Sequence, residues 1–147
     1  MLAAALLTGC GDDSPAAPPA KSDFVAEANA ICDESAKLIA AVGVDLGESP
    51  SSDEVDDFVR QTFVPAVRDE VNRIRALGFP PADSNLLQGV LFDIEAVLDD
   101  LNKNPDEVFA QGTTPFDDIN RRLDEYGLTV CGSGTDASST TTSTVAT

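Results

Sequence analysis

The chain contains no histidine and no tryptophan, a single tyrosine, a single methionine, and only 9 lysines and arginines in 147 residues. Without histidine, the commonest general acid–base group near neutral pH and the commonest metal ligand are both missing. Serine, threonine and cysteine nucleophiles then lack an imidazole to activate them. Lys21, Lys37 and Lys103 stand in polar contexts, so nucleophilic catalysis has no support. A di-iron or di-manganese bundle would need Glu-x-x-His. The few cations face 26 Asp and Glu, which gives a net charge of −17. A nucleic-acid partner is therefore excluded, because phosphate binding needs clustered cationic neutralisation. Anionic lipid headgroups should likewise repel the folded part. These absences point to a protein that is not an enzyme and uses no cofactor or metal.

No apolar run is long enough to span a membrane. The first, "MLAAALLTGC", has the form of a secretory h-region and stops at a cysteine. Its last four residues, Leu7-Thr8-Gly9-Cys10, resemble the lipobox of bacterial lipoproteins. That resemblance implies diacylglycerol on the Cys10 sulfur, removal of a signal peptide over 1–9, and display on the outer side of the cell membrane. No Lys or Arg precedes the run, which means either a start upstream of Met1 or a chance likeness. Residues 10–22 then form a lipidated cysteine and a flexible linker. The stretch "GDDSPAAPPAKS" offers nothing from which to build a core. At the other end, residues 133–147 are a low-complexity Ser/Thr-rich tail, expected to be disordered and either plain or O-glycosylated.

The helical domain is expected over 23–132. Segment one places Phe24, Ala28, Ile31, Ser35, Leu38 and Val42 at spacings of three and four, with Ser22 or Asp23 as N-cap and Gly43 or Gly47 as stop. Segment two opens with the capping box Ser51-x-x-Glu54, ends at Leu77-Gly78 and carries Pro65 in its middle, where a kink is expected. After "FPPAD", Asp83 or Ser84 caps a third helix with Leu87, Val90, Leu91, Ile94, Leu98 and Leu101 on one side. Gly89 costs that helix about 1 kcal/mol, which a close helix–helix approach would justify. The fourth segment is broken: a turn or two from Asn104-Pro105 to Gln111, then a restart at Thr114-Pro115 with Phe116, Ile119, Leu123 and Tyr126. The pattern predicts an all-α, antiparallel four-helix bundle with a kinked second helix and a short segmented last helix.

If Cys10 is acylated, Cys32 and Cys131 remain as an even pair in an oxidising compartment, where a disulfide is expected. The bridge would staple an extended run, Leu128 to Val130, onto the first helix. The segments "ANAIC", "IRALGFPP" and "YGLTVCG" together resemble a group of small, largely uncharacterised actinobacterial lipoproteins, over about residues 23–132. That group implies no settled activity and no catalytic residues.

Three sets of residues remain as candidate sites. The acidic pairs Asp56/Asp57, Asp99/Asp100 and Asp117/Asp118 read as a solvated face. The calcium-loop likeness from Asp100 fails at Pro105 and Gln111. Arg60, Arg68 and Arg75 fall along one edge of the second helix, where they either clamp an anion, with Arg121 and Arg122 as helpers, or pair with carboxylates inside the molecule. Phe24, Phe58, Phe63, Phe92, Phe109, Phe116 and Tyr126 occupy core positions, with Phe79 in a turn. The kinked second and broken last helices leave room for a pocket between them. The expected function is non-enzymatic binding of another envelope component, protein or otherwise, with the membrane held through Cys10. The alternative is a carrier of a small apolar or anionic ligand in that pocket.

Overall fold

The computed structural model describes residues 17–47, 49–106 and 115–133, and every regular element among them is helical. Helix α1 spans Lys21–Gly43. It begins earlier than a Ser22 or Asp23 cap would allow, because Phe24 N–H already donates to Ala20 O at 3.0 Å. Its buried stripe is Phe24, Ala28, Ile31, Cys32 and Ser35, and then the pattern departs from expectation. Leu38 and Val42 keep the spacing but are 56 % and 37 % exposed. A 3-10 turn, Val44–Leu46, and Gly47 at φ +69° end the helix.

The second helix is one rod made of three pieces, α2 (Ser52–Phe58), a π turn (Val59–Phe63) and α3 (Val64–Ala76). Ser51 and Glu54 form the reciprocal capping box. Proline cannot donate its backbone nitrogen, and its ring crowds the carbonyl four residues back. Here the ladder widens just before Pro65, with Val64 N–H donating to Val59 O, so the proline falls in the first turn of α3. The distortion expected at Pro65 is thus taken up one turn earlier as a π bulge. Gly78, at φ +72°, stops the rod.

Helix α4 (Ser84–Lys103) buries the six expected residues Leu87, Val90, Leu91, Ile94, Leu98 and Leu101. Phe92 does not join them and is 69 % exposed, because it sits about 100° round the helix from Leu91 and away from the stripe. Gly89 meets no neighbouring backbone; an added Cβ would lie 3.8 Å from the Arg122 guanidinium, so the close approach expected there is absent. Asp83 makes no side-chain cap to α4. Its carboxylate instead accepts from Tyr126 Oη at 2.9 Å, tying the start of α4 to the end of the next helix.

Pro105 and Asp106 form a 3-10 turn, while the expected helical turn to Gln111, with Phe109 and Thr114, lies outside the described residues. Helix α5 (Asp117–Tyr126) buries Ile119, Leu123 and Tyr126 and ends at Gly127, whose φ of 114° turns the chain. Leu128 is 1 % exposed. The run expected to be extended is a short helix, α6 (Thr129–Ser133). Two tertiary contacts hold it there: Val130 N–H donates to Asn29 Oδ1 at 3.0 Å, and Asn29 Nδ2 donates to Gly127 O at 3.1 Å.

The four-helix arrangement is closed by the Cys32–Cys131 disulfide, which joins α1 to α6 across 99 residues. One continuous core runs through it, with Phe24 edge-on to Phe79 and Tyr126 at 5.9 and 6.3 Å. Fully buried Phe24, Leu98, Leu101 and Leu128 each contribute about 1.5–3 kcal/mol.

Candidate functional site

Two concavities flank α3. The larger is an open groove of about 580 Å3 between α1 and the second helix. Leu38 and Val42 form its apolar wall on one side, Pro65 and Ala66 on the other. Its wall on the second helix runs from the π bulge, Gln61 and Thr62, into the next turn, where Pro65 and Ala66 have short side chains. An ion pair closes one end, Arg73 to Glu34 at 2.6 Å. Asp69, Gln61 and Thr62 complete the polar rim.

The smaller concavity, about 70 Å3, lies where α1, α3, α5 and α6 meet, between the second and last helices. Its walls include Phe63, Ile119 and Leu123, with both sulfur residues, Cys32 and Cys131, on one side and Glu70 on another. A small-molecule pocket usually needs about 300–1,000 Å3, so this space admits a few waters rather than a ligand. Glu70 Oε1 is 3.4 Å from Cys32 Sγ. A bridged sulfur carries no proton and cannot donate, so the hydrogen of this contact is that of the protonated Glu70 carboxyl, given weakly to the sulfur. Desolvation pushes the Glu70 carboxyl above its usual range, and the Ser35 hydroxyl and Arg73 offset this only in part. Ser35, 7 % exposed, lines the groove and has no hydrogen bond of ordinary geometry for its hydroxyl.

The arginines singled out in the sequence do not converge on a site. Arg60 reaches Asn102 O and lies 3.9 Å from Asp56, Arg68 is paired with Asp99, and Arg75 holds Glu95 at 2.6 Å. They lie along the seam between the second helix and α4, and an incoming anion would have to displace these partners. Arg75 keeps the exposed Glu95 carboxyl below its usual range. Arg121 and Arg122 are likewise engaged, with Asp118 and Glu125 and with Asp93. Lys37 and Lys103 bind Asp33 and Asp100, and the Lys21 ammonium sits 4.0 Å above the Tyr126 ring. All nine cations of the sequence are therefore occupied within the molecule. Of the acidic pairs, Asp56, Asp99, Asp100 and Asp118 face cations, Asp57 accepts from Gln61 at 2.7 Å, and among the described residues no three ligands converge as a metal site.

Cys10 lies outside the described residues, and no described helix is long and apolar enough to cross a membrane. Sequence reasoning missed Glu70. The signal was present, since Phe63, Val67, Glu70 and Ile74 recur at core spacing and place a carboxyl in an apolar stripe. Compared with protein-family models, curated proteins and solved structures, the chain matches none.

Proposed function

We propose that the chain is a lipid-anchored lipoprotein on the extracytoplasmic face of the cell membrane that acts without catalysis, binding another envelope component through the groove between α1 and the second helix. The observation that carries this reading is the pair Leu38 and Val42, which continue the core stripe of α1 but stand open at 56 % and 37 % along a groove of about 580 Å3. Unlike Leu86 and Phe92, which are also exposed, these two side chains stand together in a concavity where a partner can cover both. Because the cations are engaged within the molecule and the net charge is −17, the complementary partner is an apolar segment with neutral or basic flanks. The anchor rests on the lipobox resemblance at Cys10, and the Cys32–Cys131 disulfide supports an oxidising location. A carrier role has less support, since the space between the second and last helices is only about 70 Å3 and Arg60, Arg68 and Arg75 are engaged with partners on their own helix and on α4.

The test is a photoreactive residue at Leu38 in the intact envelope, with one at Leu86, 51 % exposed on α4, as control. A discrete product from Leu38 alone, weakened by salt, is expected. The same products from both positions would overturn the proposal.

A further inference from the structure

We propose that the Cys32–Cys131 disulfide is a site of thiol–disulfide exchange, in which an incoming thiolate attacks Cys131 Sγ and the Glu70 carboxyl gives a proton to the departing Cys32 sulfur. Three observations support it. Glu70 Oε1 lies 3.4 Å from Cys32 Sγ, a weak contact while the bridge is closed that becomes a proton-transfer contact when it opens. The two sulfur residues are unequally exposed: Cys32 is 2 % exposed and Cys131 half-buried, so a thiolate meets Cys131 first and Cys32 is the leaving group. The short helix α6 is also held to α1 without the bridge, by both hydrogen bonds of Asn29 and by buried Leu128. Opening therefore leaves the two sulfurs close together and able to close again.

The step balances. A thiolate of a small or protein thiol forms a new bond to Cys131 Sγ while the Sγ–Sγ bond breaks. The bonding pair leaves on Cys32 Sγ, and the proton moves there from Glu70, giving a mixed disulfide on Cys131, a Cys32 thiol and a Glu70 carboxylate. In the reverse reaction the Cys32 thiol returns its proton to Glu70 as its sulfur attacks Cys131 Sγ and expels the external sulfur as a thiolate.

The surroundings of Glu70 make this proton available in a controlled way. It contacts Cys32 and feels the Ser35 hydroxyl from α1, and it lines one concavity with Ile94 of α4, Asn120 of α5 and Cys131 of α6; the charges acting on it are Arg73 on its own helix and, through Arg73, Glu34. Burial favours the protonated acid, the form that can donate, and the Ser35 hydroxyl and the Arg73 cation offset it only in part.

The experiment measures opening of the oxidised full chain by glutathione across pH 5–9, expressed per glutathione thiolate. For the wild type the rate constant should fall by roughly a hundredfold as Glu70 ionises, the low end of what a positioned general acid supplies. The first adduct should map to Cys131. Glu70→Gln should give a rate without that fall. If Glu70→Gln does not fold, Arg73→Met serves instead: removing the cation should move the fall to higher pH. A first adduct on Cys32, a Glu70→Gln profile like the wild type, or an Arg73→Met midpoint that does not move would overturn the proposal.

Discussion

Removing the disulfide by Cys32→Ala together with Cys131→Ala perturbs the unfolded chain more than the folded one. In the chain-entropy account, a bridge closing 99 residues restrains the denatured ensemble by about 4.7 kcal/mol. Replacing the buried Cys32 sulfur, 2 % exposed, leaves a small void that adds about 1 kcal/mol. The folded state keeps most of what holds α6, namely the Asn29 hydrogen bonds and buried Leu128. A total loss of about 4–6 kcal/mol would be a large share of the stability of a domain this size, which lies at about 5–15 kcal/mol. Urea unfolding followed by far-ultraviolet circular dichroism reads both parts. The midpoint should drop steeply and the m-value should rise, because an uncrosslinked denatured chain exposes more surface. A loss below about 1 kcal/mol with an unchanged m-value would refute the reasoning.

Gly132→Ala should cost about 1–3 kcal/mol, since a Cβ there would sit 2.7 Å from Asn120 O and 2.3 Å from Asp124 Oδ1; thermal unfolding checks this, and a neutral result would mean that α6 shifts freely. Tyr126, the single tyrosine, is pushed up to about 12 by burial and by its bond to Asp83, so its ultraviolet titration should centre there. Asp83→Asn should bring that midpoint down in part, with desolvation keeping the remainder, and urea should return it to the ordinary value near 10. For Glu70 the folded carboxyl holds its proton above the ordinary value of 4.5, so the native state binds more protons and stability falls as pH rises from there through the raised value. Glu70→Gln should flatten that fall in urea midpoints measured from pH 4 to 8.

The fold was readable where one side chain's fate depends on its own helix. In α4 the stripe from Leu87 to Leu101 is set by spacing alone, and the stop at Gly78 needs only a glycine there, which takes φ +72°. The capping box at Ser51 is equally local. What escaped depends on neighbours. Periodicity puts Leu38 and Val42 in the core, but they open onto a groove they share with the small side chains of Pro65 and Ala66, which a single helix's pattern does not show. Pro65 announces a disturbed ladder without saying which turn absorbs it, and the π bulge at Val59–Phe63 is the answer. Five residues from Thr129 to Ser133 are too few for a period to be read, and Asn29, about a hundred positions away, makes them helical. Asp83 looks like a cap but is claimed by Tyr126. For the candidate site, the pairing of Cys32 with Cys131 was legible by arithmetic, whereas the contact with Glu70 required α3 to be laid against α1. The arginine edge was visible, and its carboxylate partners on α4 were not.

The central claim is that Leu38 and Val42 are left open for a partner and not for the fold. A paired measurement on the Leu38→Ser, Val42→Ser variant tests it directly: the unfolding free energy of the purified protein, and the yield of the proposed complex in an envelope preparation. The groove reading predicts stability within about 0.5 kcal/mol of the wild type, as for ordinary surface substitutions, together with loss of the complex. A variant destabilised by several kcal/mol that still forms the complex would contradict it.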